Sequence, residues 1–215
     1  MQKDKYFVKR VLMCVFGVII CGVSVGFFKT AALGVDPFQS FMGGLDALIP
    51  IEFGTLYVIA NAVLLLFSLF ADRHYIGLAT LINLFFLGYV AQYTQEFLTG
   101  LFPELSILGS VVLLVIGIVM VCFSMSLYFE ADLGVSTYDA VALIITEIWK
   151  IGKFSYVRVI CDFICVAVGI LLFWMAEGSL QGVTAIVGIG TIITAFFMGP
   201  LIDFFRDKIA KPLLS

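Results

Sequence analysis

AALGVDPFQS, Ala31 to Ser40, interrupts a long apolar run, and ADLGVSTYDA, Ala131 to Ala140, says nearly the same thing one hundred residues later. In the first copy Gly34 suits the left-handed position that ends a helix. Asp36 then suits an N-cap, Pro37 the first helical residue, and Gln39 stands third in the new helix. In the second copy Ser136 is the cap and Asp139 its partner, a capping box of the Ser-x-x-Asp type. Both copies therefore read as one helix ending and another beginning a few residues on.

Of the 215 residues, 62% are hydrophobic and only 13% charged, with a net charge of −3. That is outside the range of soluble domains. Apolar stretches fall at about 8–29, 54–71, 77–98, 107–129, 155–175 and 183–205, and a run of ~18 residues or more can cross a ~30 Å hydrocarbon core. The first follows Lys9 and Arg10, is too long for a signal-peptide core and has no Ala-x-Ala site, so it reads as a retained anchor. The interruptions open shorter helices at about 37–49 and 137–150, each ~20 Å long at 1.5 Å per residue and too short to cross comfortably. The expected class is an all-α membrane protein of six transmembrane helices plus two short broken or re-entrant ones.

Basic residues orient such a chain. With six spans and a cytoplasmic N-terminus, Lys3, Lys5, Lys9, Arg10, Arg73, Lys150, Lys153, Arg206, Lys208 and Lys211 fall inside and only Lys29 outside. The outer side collects Asp36, Asp46, Glu52, Glu104 and Glu177. Both termini are then cytoplasmic.

The duplication runs further than the two interruptions. Gly54-Thr55 is echoed by Phe154-Ser155, and GLATLINLFFLG, Gly77 to Gly88, by GIGTIITAFFMG, Gly188 to Gly199, with Thr80 matched to Thr191 and Phe85-Phe86 to Phe196-Phe197. One membrane domain therefore divides into a first repeat, 1–105, and a second, 106–215, each reading span, break, short helix, span, span. Three is an odd number of spans, so the second copy enters the membrane upside down, as in many secondary transporters.

Two helix starts brought together from opposite faces would present uncommitted N–H groups, and irregular backbone is tolerated at membrane depth only against protein or a cavity. The candidate substrate-binding residues are accordingly Asp36, Phe38, Gln39, Ser136, Tyr138 and Asp139, with Gly34 and Gly134 as hinges. Capping explains Asp139 as well as binding does, and packing explains Phe38 and Tyr138. Arg158 and Asp162, four apart in the fifth span, are either a self-neutralising pair or switchable charge. Asn61 and Asn83 are further buried-polar candidates that helix-to-helix hydrogen bonds explain equally. Asp203 beside Arg206 reads as a solvated pair at the inner interface.

Five cysteines, all within spans, imply no disulfide framework, and Cys161 and Cys165, on one helix face, lack a third ligand for a metal. GVSVG, Gly22 to Gly26, matches the hydrolase pattern G-x-S-x-G but sits mid-helix instead of on a strand-to-helix elbow. Gly22 and Gly26 read better as a close-packing face, within the chain or in a homodimer. The sole histidine, His74, lies in a cytoplasmic loop, and no nucleotide, zinc-protease or redox motif occurs. No metal, cofactor, nucleic acid or enzymatic reaction is expected, and lipid is the expected surround.

The paired LGV motifs, the run GTIITAFFMGPLID (Gly190 to Asp203) and the three-span repeat together resemble the YczE/YyaS/YitT-like bacterial membrane proteins, the YczE branch most, over residues 8–205. That family's motif is close to Leu-Gly-x-Ser-Pro-Trp-Asp at the start of each short helix. Asp139 matches the acidic position and Gln39 departs from it. Pro37 keeps the proline that Thr137 lacks, and Phe38 and Tyr138 stand at the aromatic position. The resemblance implies a bacterial inner-membrane protein and names no solute. The leading expectation is a small secondary transporter or permease for a small polar solute. The alternative is a membrane accessory or assembly partner that transports nothing.

Overall fold

In a computed structural model of the protein, residues 6–73, 75–152 and 154–214 are described, without the side chains of Phe154 and Ser155. Lys3, Lys5, His74 and Lys153 lie outside the described residues. The elements are α1 (Phe7–Ala31), α2 (Pro37–Leu48), α3 (Phe53–Ala71), α4 (Leu78–Leu101), α5 (Ile107–Ala131), α6 (Thr137–Leu143), α7 (Phe154–Glu177), α8 (Ile189–Phe205) and α9 (Lys211–Leu214), with no strand among the described residues.

Five stretches are long and apolar enough to cross a membrane: Phe7–Ala31, Phe53–Ala71, Ile107–Ala131, Tyr156–Glu177 and Val183–Leu214. The expected span at 77–98 forms α4, yet Asn83, Gln92, Thr94, Gln95 and Glu96 make it too polar to join them. Several of those groups are met inside the protein. Gln92 accepts the Gly54 N–H at 2.9 Å, and Asn83 accepts the Tyr57 hydroxyl at 3.3 Å.

Three boundaries differ from expectation for local reasons. The last span does not run as helix from residue 183: a 3₁₀ turn, Val183–Ala185, precedes α8, and Gly188 at extended φ separates them. The expected helix 137–150 is α-helical only to Leu143 and widens into a π-turn, Ile144–Ile148. There the Thr146 hydroxyl donates to the carbonyls of Ala142 and Leu143, the back-bonding by which threonine loosens a helix. The residue that ends α1 in left-handed conformation is Ala32 (φ 54°), not Gly34, and Asp132 (φ 50°) does the same for α5.

Gly34 (φ +95°) and Gly134 (φ +110°) are left-handed for another purpose. They let the interrupted backbone press onto helix starts in the other half of the chain. The Leu33 carbonyl accepts the Gly190 N–H at 2.8 Å, and the Val35 N–H donates to Ile186 at 3.4 Å. In the second copy, the Leu133 carbonyl accepts the Ala79 N–H at 2.9 Å, and the Val135 N–H donates to Tyr75 at 3.1 Å. Gly188 and Gly77 each donate their N–H to a threonine hydroxyl three residues on, Thr191 and Thr80, both at 3.1 Å. Matched positions thus make matched contacts, and each interruption docks in the half it does not belong to.

The helices interlock in the same crossed manner. α1 packs along α5 at the centre, α2 against α7, and α6 against α3. Gly17 admits Ser124 and Tyr128 of α5, and its counterpart Gly117 admits Phe28 of α1. Gly44 of α2 and Gly169 of α7 lie backbone to backbone. Gly22 and Gly26 pack inside the chain: a Cβ there would strike Val90 at 2.7 Å and Thr94 at 2.5 Å. They are therefore committed to the α1–α4 contact and free for no second copy.

Two further cations have defined partners. Lys29 meets Asp46 at 3.4 Å and lies over the Phe53 ring. Arg206 bonds Glu130 at 2.9 Å instead of standing in a pair with Asp203 alone, because the π-turn Arg206–Ala210 carries it against the end of α5.

A methyl group at Gly77 or Gly188 would press on the carbonyl of Leu133 or Leu33. Gly77→Ala and Gly188→Ala should each lower stability by ~1–3 kcal/mol, the usual cost of overpacking. Gly100→Ala, in open space, should leave the thermal unfolding midpoint of the purified protein unchanged.

Candidate functional site

The two helix restarts meet. Asp36 caps α2 by accepting the N–H groups of Phe38 and Gln39, each at 3.1 Å. Ser136 caps α6 by accepting the Asp139 N–H at 3.1 Å. The rings just inside the two helices, Phe38 and Tyr138, stack with centroids 5.0 Å apart and planes 24° from parallel. Such a pair contributes ~0.5–1.5 kcal/mol beyond the area it buries.

The capping box at α6 is only half as expected. The Asp139 carboxylate does not turn back to the cap backbone. One oxygen accepts the Ser136 hydroxyl at 2.7 Å, and the other pairs with the Arg158 guanidinium from α7. Arg158 also reaches Asp162, one turn further along α7, at 3.3 Å. Asp162 in turn accepts the Tyr138 hydroxyl at 2.6 Å, and the guanidinium lies 4.3 Å from the centre of the Tyr138 ring. The expected pair is therefore a cluster of one cation, two carboxylates and an aromatic ring, a geometry in which cation–π attraction adds to the ionic terms. Asn61 is buried between halves, accepting the Thr137 hydroxyl at 2.5 Å and donating to the Tyr57 carbonyl at 2.9 Å.

These groups surround a cavity of about 400 Å³. Asp36, Phe38, Gln39, Asn61, Asn83, Ser136, Tyr138, Asp139, Arg158 and Asp162 all line it. Gly34 and Gly134 do not; they stand behind it in the crossed joints. Its floor and walls also include residues that the sequence reading passed over. Thr194 occupies the register of Asn83 in the duplicated GLATLINLFFLG segment, a match that could have singled it out. Tyr57 and Tyr128 line the cavity too, and Tyr128 stands one hundred residues after Phe28, a phenyl ring with a hydroxyl added. That hydroxyl is buried and has no hydrogen-bond partner, and the same holds for Oε1 of Gln39.

Among the described residues no group of three or more His, Cys, Asp or Glu is arranged to hold a metal ion. Cys161 and Cys165 pack against the core. Ser24 of the G-x-S-x-G match lies in mid-α1, its hydroxyl on the Cys21 carbonyl at 2.7 Å.

The fold and this cavity define a polytopic helical membrane protein with a largely apolar chamber, carrying a cluster of polar groups, where its helices restart. The chain belongs to DUF6198, a family of unknown function, whose profile matches residues 8–207. It is similar to the uncharacterized membrane protein YczE of Bacillus subtilis, with 26% identity over 191 residues covering 87% of this chain and 81% of that one. An uncharacterized protein of Haemophilus influenzae is 24% identical over 204 residues, 94% of this chain and 86% of its own length. The uncharacterized protein YyaS of Bacillus subtilis is 23% identical over 200 residues, 93% of each. No solved structure matches.

Removing Arg158 strands two carboxylates in a partly buried cluster. Arg158→Met should cost ~3 kcal/mol or more, as breaking a buried ion pair does. Adding Asp139→Asn and Asp162→Asn to it should recover most of that loss, measured by denaturant unfolding in detergent.

Proposed function

We propose that the chain is a small secondary transporter or permease for a small polar solute, not an enzyme, in the inner membrane of a bacterium. In this reading α4 is the sixth span, its polar residues turned to protein partners such as Gly54 and Tyr57. Three spans in each half then place the repeats in opposite orientations, with α2 and α6 as re-entrant helices and both termini cytoplasmic. Charge placement supports that orientation: Arg10 with Asp132, and Arg206 with Glu130, gather at the end of α5 that follows the start of α1, while Lys29 and Asp46 pair at the other end of α1.

The observation that carries the reading is the cavity at the meeting point of the two helix starts. A scaffold that only packs against a partner protein needs a filled interface there. A transporter needs a chamber lined by groups able to change partners, and Arg158 already divides its donors between Asp139 and Asp162. The joints at Gly34 and Gly134 are where the halves would pivot.

Reconstituted into liposomes, the wild-type protein should take up a responsive solute from a metabolite panel. Asp139→Asn and Arg158→Ala should each slow that uptake by at least about tenfold, since a charge-assisted contact is worth ~1.5–3 kcal/mol. Uptake equal to wild type in both folded variants would remove the assignment of the site.

A further inference from the structure

The charges and the acceptors on the cavity wall say what class of solute fits it. Most polar groups on the wall are committed to one another. The Phe38 and Gln39 N–H groups, which a free helix start would offer to an anion, are both taken by Asp36. The Asp139 N–H is taken by Ser136. Arg158, the cationic side chain on the wall among the described residues, is held between Asp139 and Asp162, which more than offset its charge.

Both cap bonds go to Oδ1 of Asp36, and acceptors stand together at this end of α2. Gln39 is 6% exposed, lines the cavity, and its Oε1 receives no hydrogen bond. A buried polar atom left without a partner costs ~1–3 kcal/mol, which a ligand bringing an N–H would recover. Gln39 sits directly on Asp36, its backbone N–H bonded to that carboxylate at 3.1 Å. The charge balance runs the same way, with Asp36, Asp139 and Asp162 on the wall against Arg158. Beside Asp36 and Gln39 the wall is aromatic: Phe38 stacks on Tyr138 and meets Tyr57 edge to face at 6.0 Å.

We propose that the cavity binds a small protonated primary amine with a compact apolar body. Its ammonium group donates to the Asp36 carboxylate and to Oε1 of Gln39, and its body lies against the rings of Phe38 and Tyr57. An ammonium carries three donors, no acceptor and a positive charge, which suits the Asp36 carboxylate and the negative balance of the wall. A carboxylate or phosphate solute adds negative charge to a wall that already carries three carboxylates against one guanidinium. The inference rests on reading the cavity as a solute site, but it requires binding only and not translocation.

Phenethylamine, phenylethanol and phenylacetate share nearly one skeleton and are cationic, neutral and anionic at pH 7. Calorimetric titration of the full chain in phosphatidylcholine nanodiscs should show saturable binding of phenethylamine and none of phenylacetate. Asp36→Asn keeps the capping oxygen, since Asn caps as well as Asp, and Gln39→Met keeps the side-chain bulk. Each should weaken phenethylamine by at least about tenfold, as the loss of a hydrogen bond to a charged group implies, with no fall in the thermal unfolding midpoint. Preference for phenylethanol or phenylacetate, no binding of any of the three, or phenethylamine binding that both variants retain would overturn the proposal. Saturable amine binding without uptake into liposomes leaves the amine site standing and removes the transport reading. Uptake of an anionic or neutral solute with no amine binding does the reverse.

Discussion

Two backbone exchanges hold this structure in register: Leu33 with Gly190, and Leu133 with Ala79. Where a helix stops inside a membrane protein, its freed carbonyls and the next helix's first N–H groups have no water to turn to. Here the end of one interruption and the start of a distant helix satisfy each other, and the arrangement occurs twice. Glycine at 34 and 134 is needed for it, because the backbone is left-handed there and lies against the Gly188 and Gly77 backbones. Once these joints are made, α2 is held against α7 and α6 against α3, and the Phe38 and Tyr138 rings have nowhere to go but onto each other. The cavity is the space that this crossing leaves.

The Arg158 cluster answers to the same geometry. Asp139 is carried by α6 and Arg158 by α7, helices separated by a π-turn that widens the chain between them. An ion pair taken out of water returns its desolvation cost only when further hydrogen bonds complete it. Ser136 and Tyr138 supply those bonds to the two carboxylates. The caps of α6 and the charges of α7 therefore form one network, and the residue that looked like a cap partner serves both.

Much of this was legible in the residues. Asp36 and Ser136 cap as their types predict, Pro37 opens α2, and Thr80 and Thr191 do the same work at matched positions. Polar residues set in apolar helices gathered on one cavity because lipid offers them nothing else. What could not be read were the long-range partners. Periodicity carries no trace of Leu33 meeting Gly190, nor of Arg206 choosing Glu130 over its neighbour Asp203. Local chemistry also misled where two glycine uses look alike: Gly34 fits a helix C-cap, but Ala32 takes that conformation and leaves the glycine for close approach. The late start of α8 was hidden because Val183 to Val187 is as apolar as a helix.

Crossed joints have a consequence for how the chain is made. Leu33 is synthesised long before Gly190, so its carbonyl has no such partner until most of the chain exists. Leu133 and Ala79 are both made before Gly190, so this joint between the two halves has its partners first. Only when α8 arrives is the older break sealed. Neither half carries both sides of either joint, and in the order of synthesis α8 is the last to supply one.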